Sequence, residues 1–305
     1  MNIGITGASG FVGKNLSAYL SSNKDFSVTA IDRHSEDFCQ VMTGNLNAVV
    51  HLAGKAHDLK NVSSPEEYYE SNYELTRRIY DAFLKSNAHT FIFLSSVKAA
   101  ADKVDGLLTE DITPNPETPY GKSKLLAEQY IQSQNLPAGK RYFILRPCII
   151  HGPGNKGNIN LLYSFVKKGV PYPLAGFNNE RSFLGVKNLT FIIGQLITRN
   201  DIEGGIYNIA DDMALSTNQL VDEISRTLNL KPKKWKLNPR LIRTLAKVGD
   251  ILHLPLTTER LDKLTENYLV SNKKIKQAIN KEWPLTTLEG LEITVNHLLR
   301  VSSTD

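Results

Sequence analysis

The sequence predicts an α/β protein: a doubly wound parallel sheet with helices on both faces, followed by a smaller C-terminal portion. Three observations predict it. Short β-rich runs alternate strictly with helical patterns through the first half. Two of those runs, residues 48–52 and 91–94, are apolar except for His51, as strands covered on both faces require. Finally, a glycine-rich turn, Gly7-Ala8-Ser9-Gly10-Phe11-Val12-Gly13, directly joins the first strand to the first helix.

In chain order, strands are expected at 2–6, 28–31, 48–52, 90–94 and 141–145. Helices are expected at 14–22, around 65–86 and at 122–134. After Arg146 the rhythm changes. Gly and Pro cluster at 152–157 and 169–176, which reads as loop. Helical patterns at 217–228, 239–252 and 272–280 are then separated by short apolar stretches such as 206–209. Residues 1–150 are therefore expected to form mainly the sheet domain, with later strands joining it. Residues 151–305 are expected to form mainly the smaller portion.

A chain of 305 residues, 41% hydrophobic and 22% charged, has an ordinary globular composition and can bury a large core. Its net charge of +5 suits an anionic small ligand. Much of the excess falls on Lys231, Lys233, Lys234, Lys236, Arg240, Arg243 and Lys247, read as a solvated face, with a membrane surface or a partner as the alternative. No nucleic-acid-reading motif accompanies it, which argues against a nucleic-acid partner. In helix 239–252, Leu241, Leu245, Val248 and Leu252 recur at helical spacing, as a core-facing stripe or a subunit contact in a homodimer rather than a membrane anchor. Cys39 and Cys148 are far apart and show no metal-ligand spacing, which suits a reducing compartment. Met1–Thr6 already reads as a strand rather than a leader, and no run approaches the roughly 18 apolar residues of a membrane helix. A cytoplasmic location without stable membrane insertion is expected.

The glycine turn can carry a dinucleotide. Gly7, Gly10 and Gly13 let the backbone approach a pyrophosphate, and the helix opening at Phe11 and Val12 offers free N–H groups and a favourable dipole. Asp32, 19 residues past Gly13, ends the second strand. A carboxylate there accepts from the ribose hydroxyls and repels a 2′-phosphate, favouring NAD; the neighbouring Arg33 partly offsets that repulsion.

Tyr120 and Lys124, four apart at a helix start, share one face. An ammonium beside a phenol favours phenolate, making Tyr120 an acid/base near neutral pH. Ser95-Ser96 closes strand 90–94 at the carboxyl edge of the sheet, where Ser96 can hold the reacting oxygen.

Together these elements resemble the extended short-chain dehydrogenase/reductase family along nearly the whole chain. His51-Leu52-Ala53-Gly54 is similar to its strand end beside the cofactor, Asn72 to its helix asparagine, and Leu145-Arg146-Pro147 to its Leu-Arg-Pro strand. Arg181 with Val186 resembles the stretch whose arginine meets the substrate diphosphate. Tyr207-Asn208 and Trp283-Pro284 match later motifs. Within the family, Leu94-Ser95-Ser96-Val97-Lys98, Ala56-His57 and Lys156-Gly157-Asn158 resemble UDP-glucose 4-epimerase-type proteins and reductases of UDP-linked 6-deoxy-4-keto amino sugars.

The resemblance implies a Rossmann-type fold and a catalytic set of Ser96, Tyr120 and Lys124. It implies an NAD site of Gly7, Gly10, Phe11, Val12, Gly13, Asp32, Arg33, Leu52, Ala53, Gly54, Asn72, Tyr120, Lys124 and Pro147. The UDP-sugar would meet Lys55, His57, Ser96, Lys98, Asn158 and Arg181. Departures exist. Only fifteen residues separate Asp32 from Ala48, and Asn45 replaces an expected adenine-contacting aspartate. Lys187 and Glu282 replace a family aspartate and glycine, neither touching the chemistry. Val97 and Lys98 occupy the positions of the Asp-Glu pair that dehydratases use, so 4,6-dehydration is not expected. The expected activity is C4 epimerisation of a UDP-hexose or UDP-N-acetylhexosamine by transient oxidation, with 4-keto reduction as the alternative.

Overall fold

The protein is described by a computed structural model covering residues 1–32, 42, 44–55, 64–155, 157–252 and 256–302. Arg33, Cys39, Ala56, His57, Lys156 and His253 lie outside the described residues.

The first strand, β1 (Asn2–Thr6), feeds helix α1 (Phe11–Ser21), then β2 (Ser27–Ile31) and β3 (Ala48–His51). The expected helix around 65–86 is a composite: α2 (Pro65–Tyr68), a π-helical turn (Tyr69–Glu74) and α3 (Leu75–Lys85). Next come β4 (Thr90–Leu94), a short β5 (Leu107–Leu108), α4 (Pro119–Ser133) and β6 (Arg141–Pro147). The second half of the chain holds β7 (Ile149–His151), α5 (Asn158–Lys167), β8 (Phe183–Gly185) and α6 (Val186–Thr198). It continues with β9 (Gly205–Ile209), α7 (Thr217–Thr227), α8 (Pro239–Leu252) and α9 (Thr258–Thr265). The chain ends with β10 (Leu269–Val270), α10 (Lys273–Ile279) and α11 (Thr287–Val301).

The main sheet runs β2-β1-β3-β4-β6-β9, every pair parallel. Strand β9 comes from the second half of the chain, so the later sequence completes the main sheet. Alternation along each strand feeds two cores. Ile5, Val50, Ile92 and Phe143 pack toward Leu16 and Leu20 of α1 and Leu189, Ile192, Ile193 and Leu196 of α6. Val49, Phe91, Phe93 and Ile144 face Ile79, Tyr80 and Phe83 of α3 and Ala127 and Ile131 of α4. Helices thus cover both faces, as the apolar runs predict. The strand order reverses at β1, between β2 and β3, with Thr6 opposite His51 at their carboxyl ends. Ligands of such sheets bind in the crevice outside that point.

One expectation is corrected. In α8 the buried face is Ile242, Ala246 and Gly249, packed with Leu174, Phe177 and Leu261. Leu241, Leu245, Val248 and Leu252 are 56%, 49%, 41% and 62% exposed. Each buried residue follows an exposed one, rotated about 100° around the axis. The helix therefore carries two apolar stripes, and the sequence spacing picked out the outer one.

Candidate active site

The glycine turn closes on itself through Gly10 N–H to Gly7 O at 3.0 Å. Gly7 adopts φ +71, and a Cβ there would meet the Ala53 nitrogen at 2.7 Å. A Cβ on Gly13 would meet Gly7 O at 2.2 Å. Both positions therefore require glycine, the first for its backbone angle and the second for close approach. No side chain caps α1 at Gly10, so the amides of Phe11 and Val12 face outward as an anion cradle. This shape and donor set fit the pyrophosphate of a dinucleotide. Asp32 directly follows β2 and is exposed.

A buried network welds the turn to β3 and the π-helical turn. Thr76 Oγ1 donates to Asn72 O at 2.6 Å, so His51 Nε2–H must donate to Thr76 Oγ1 at 2.9 Å. His51 Nδ1 then accepts from Thr6 Oγ1 at 2.6 Å, and Thr6 Oγ1 accepts from Ala53 N–H at 3.2 Å. Burial, then the nearby Lys124, lowers His51 to about 3, keeping it neutral. The stretch Leu52-Ala53-Gly54 is thereby held beside Gly7. Asn72, fully buried in the π-helical turn, accepts from Lys55 N–H at 2.8 Å and donates to Lys55 O at 3.1 Å and Ser123 Oγ at 3.0 Å. Its amide is spent on fixing the backbone after Gly54 against the helix of Tyr120. π-Helical turns of this kind recur at functional sites.

Helix α4, which carries Tyr120 and Lys124, is aimed by its own start. Thr118 caps α4, accepting from Gly121 N–H at 3.2 Å, with Pro119 in the first turn. Asp102 accepts from the Glu117 and Thr118 amides at 2.6 and 3.0 Å. At Gly121 a Cβ would meet Lys98 O at 2.4 Å, so the absent side chain lets α4 approach the turn after β4. That approach brings Tyr120 to Ser96, and the two hydroxyls hydrogen-bond. Ser96 Oγ also accepts from Lys98 N–H at 3.2 Å. The neighbouring Ser95 is committed elsewhere: its hydroxyl donates to Glu128, which holds Arg146 through bonds of 2.5 to 3.1 Å. Glu128 and Arg146 are both buried. The Leu145-Arg146-Pro147 strand thus anchors α4 from below, with Pro147 at the carboxyl end of β6.

Lys124 is buried, and its ammonium donates to Leu94 O at 2.9 Å above the Phe93 ring. Burial lowers it to about 8, against the opposing pull of Glu128. Tyr120 differs from expectation. Burial raises its pKa; the Ser96 hydrogen bond lowers it less, and Tyr68, edge-on at 6.1 Å, raises it further. In the free protein Tyr120 is a phenol, and the lowering influence is Ser96 rather than Lys124.

The remaining expected site residues are placed as follows. Lys55 pairs with Glu67. The Lys98 ammonium donates to Asp102 O at 2.6 Å and lies 4.4 Å from the Tyr268 ring centroid. Tyr268 also forms a β-bridge with Arg181, whose guanidinium meets Glu266 at 3.5 Å. Tyr268 thereby links Arg181 to the Ser96–Lys98 turn. Asn158 begins α5; its side chain, like Arg33 and His57, lies outside the described residues. Cys148 is buried and its thiol pushed up by burial and Asp211, which suits packing rather than attack.

Sequence reasoning missed Glu128, Tyr68, Asp102 and Thr76. A signal existed for Glu128: it stands four residues after Lys124 on the same helical face. The others depend on contacts between distant elements and leave no local signature.

A doubly wound sheet with a glycine cradle at its switch point and a Ser-Tyr-Lys set at its carboxyl edge defines a dinucleotide-dependent enzyme. Comparison with known proteins is more specific. The model of the NAD dependent epimerase/dehydratase family matches residues 3–210, and the chain belongs to that family. It is an enzyme of the extended short-chain dehydrogenase type, with NAD as its cofactor. A UDP-glucose 4-epimerase of Vibrio cholerae is 29% identical, covering 98% of this chain and 96% of that protein. The N-acetyl-alpha-D-glucosaminyl-diphospho-ditrans,octacis-undecaprenol 4-epimerase of Escherichia coli O157:H7 is 30% identical over 75% of this chain and 73% of its own. The solved UDP-glucuronic acid 4-epimerase from Bacillus cereus superposes with a TM-score of 0.78 at 18% identity over 99% of both chains, a likeness of fold.

Proposed function

We propose that this protein is a 4-epimerase of a UDP-hexose or UDP-N-acetylhexosamine, acting by transient oxidation at C4. The hydrogen-bonded Ser96–Tyr120 pair beside Lys124, facing the carboxyl edge of the sheet, carries the reading. Bound NAD supplies a hydride acceptor, and then a donor, at the sugar carbon. Tyr120, as the phenolate formed in the complex, takes the proton of the C4 hydroxyl on oxidation and returns it on reduction. Ser96 holds the same oxygen, and its hydrogen bond stabilises the phenolate that burial opposes. The role proposed for Lys124 is to hold the ribose and add positive charge near the phenol. Gly7, Gly10, Phe11, Val12 and Gly13 would hold the pyrophosphate, Asp32 the adenosine ribose. The stretch Leu52-Ala53-Gly54, fixed by Asn72, and Pro147 would wall the nicotinamide end.

Arg181 is proposed to meet the UDP diphosphate, exchanging Glu266 for phosphate in a charge-assisted contact. Lys55 and Lys98 would border the sugar. The 1–150 and 151–305 portions would then divide cofactor from sugar binding, with β9 shared.

Denaturing the purified protein and assaying released NAD tests the redox-neutral cycle. Incubation with UDP-glucose and UDP-N-acetylglucosamine should yield the C4 epimers without net cofactor consumption. Stoichiometric NADH consumption on 4-keto sugars, with no epimer formed, would assign it instead as a 4-keto reductase.

A further inference from the structure

Outside the site, the least expected surface is the one formed by α8 and the segment before it. Residues 229–252 hold seven of the chain's 36 lysines and arginines and one of its 31 acids, Asp250. The segment therefore carries a net +6, more than the +5 of the whole chain. The same segment exposes large apolar groups: Trp235 at 57%, Ile251 at 77% and Leu252 at 62%, beside the outer stripe of Leu241, Leu245 and Val248. Leu264 on the adjoining α9 adds to them at 51%.

The surface is built. Tyr172 N–H donates to Lys233 O at 2.9 Å and Trp235 N–H to Tyr172 O at 2.8 Å, fixing the segment before α8 in extended form. Asp250 accepts from the Thr258 N–H at the start of α9 at 2.9 Å, which braces the end of α8. Ile242, Ala246 and Gly249 bury the inner stripe, so the outer stripe is held outward. On a helical wheel Arg240 and Lys247 gather beside Ile251, on one flank of the exposed apolar surface, while Arg243 turns toward Phe177 on the inner side. A groove of about 220 Å³ beside the segment is lined by Lys167, Lys168, Lys231 and Lys233.

We propose that this face docks the enzyme on an anionic lipid bilayer, with α8 lying in the plane of the interface. An amphipathic helix of this kind buries its apolar stripe at the acyl boundary while lysine and arginine meet the phosphates. Charge decides against a second copy of the chain: a two-fold contact would set this cationic surface against itself. The exposed leucines and isoleucine would gain nothing on a soluble polyanion. No helix among the described residues is long and apolar enough to cross a membrane, so attachment would be peripheral. The proposal is independent of the sugar acted on.

Co-sedimentation of the full chain with vesicles tests it, comparing phosphatidylglycerol–phosphatidylcholine mixtures with pure phosphatidylcholine. The protein should pellet with the anionic vesicles, and binding should weaken at high salt. Two doublets, L245S/I251S and R240E/K247E, should each lower the partition coefficient by about tenfold or more. Both should keep the wild-type thermal transition and the wild-type turnover of a soluble nucleotide sugar. Equal pelleting with neutral and anionic vesicles, or unchanged binding by both doublets, would overturn the proposal. A solution dimer that L245S/I251S converts to monomer would also overturn it, making the face a subunit contact.

Discussion

Ser96 and Tyr120 hydrogen-bond to each other across the gap between the end of β4 and the first turn of α4. The serine oxygen is itself steadied by the Lys98 amide. Tyr120→Phe removes the transferable proton and little else. It should keep NAD affinity while turnover falls roughly 100- to 10,000-fold, as loss of a general acid–base does. Ser96→Ala should lower turnover and, by removing the lowering influence on Tyr120, push the basic limb of the pH–rate profile further up. Near-normal turnover by Tyr120→Phe on a confirmed substrate would remove it as the acid/base.

Gly121 sets the approach of that helix. A methyl group there would sit 2.4 Å from Lys98 O, so Gly121→Ala must push the start of α4 away. A displacement of about 1 Å can cost on the order of 100-fold in rate. The expected outcome is a large loss of kcat with a smaller change in NAD binding. An unchanged kcat would show that the site tolerates the shift.

The Glu128–Arg146 pair is buried on both sides. Glu128→Ala strands the guanidinium and the Ser95 hydroxyl, and should destabilise the fold by about 3–5 kcal/mol in urea unfolding. Replacing both charges, as in E128L/R146M, should recover much of that loss. A double variant as unstable as Glu128→Ala would show that the pair's geometry, rather than an uncompensated charge, holds β6 to α4.

Asp32, exposed at the end of β2, should make NAD(H) bind better than NADP(H) by repelling a 2′-phosphate. Asp32→Ala should narrow the gap. Titrations in which the wild type prefers NADP(H) would overturn the assignment.

His51 should make the protein acid-sensitive. Its folded pKa of about 3 lies below the ordinary 6.5, so the unfolded chain binds the extra proton first. This contribution is complete above pH 6.5 and is lost as pH falls from there toward 3. At pH 5 the loss amounts to about 2 kcal/mol. His51→Gln should flatten the stability profile between pH 7 and 5 by a similar amount. An NMR titration showing the His51 ring protonated at pH 5 in the folded protein would contradict the buried neutral tautomer.

The α/β alternation, the glycine turn, Asp32 after β2 and the Tyr120–Lys124 spacing were all legible in the chain. Each is fixed by residues a few positions apart, and local backbone geometry imposes their periods. Other decisions needed the packed molecule. Two adjacent serines end β4, and only the position of Glu128 on α4 commits Ser95 to the scaffold and leaves Ser96 to Tyr120. The rise of the Tyr120 pKa likewise comes from burial among distant elements, which no i to i+4 spacing encodes. In α8, periodicity could show which residues share a face. Whether neighbours cover that face depends on Leu174, Phe177 and Leu261, brought from elsewhere in the chain to pack on the inner stripe and leave the outer one bare.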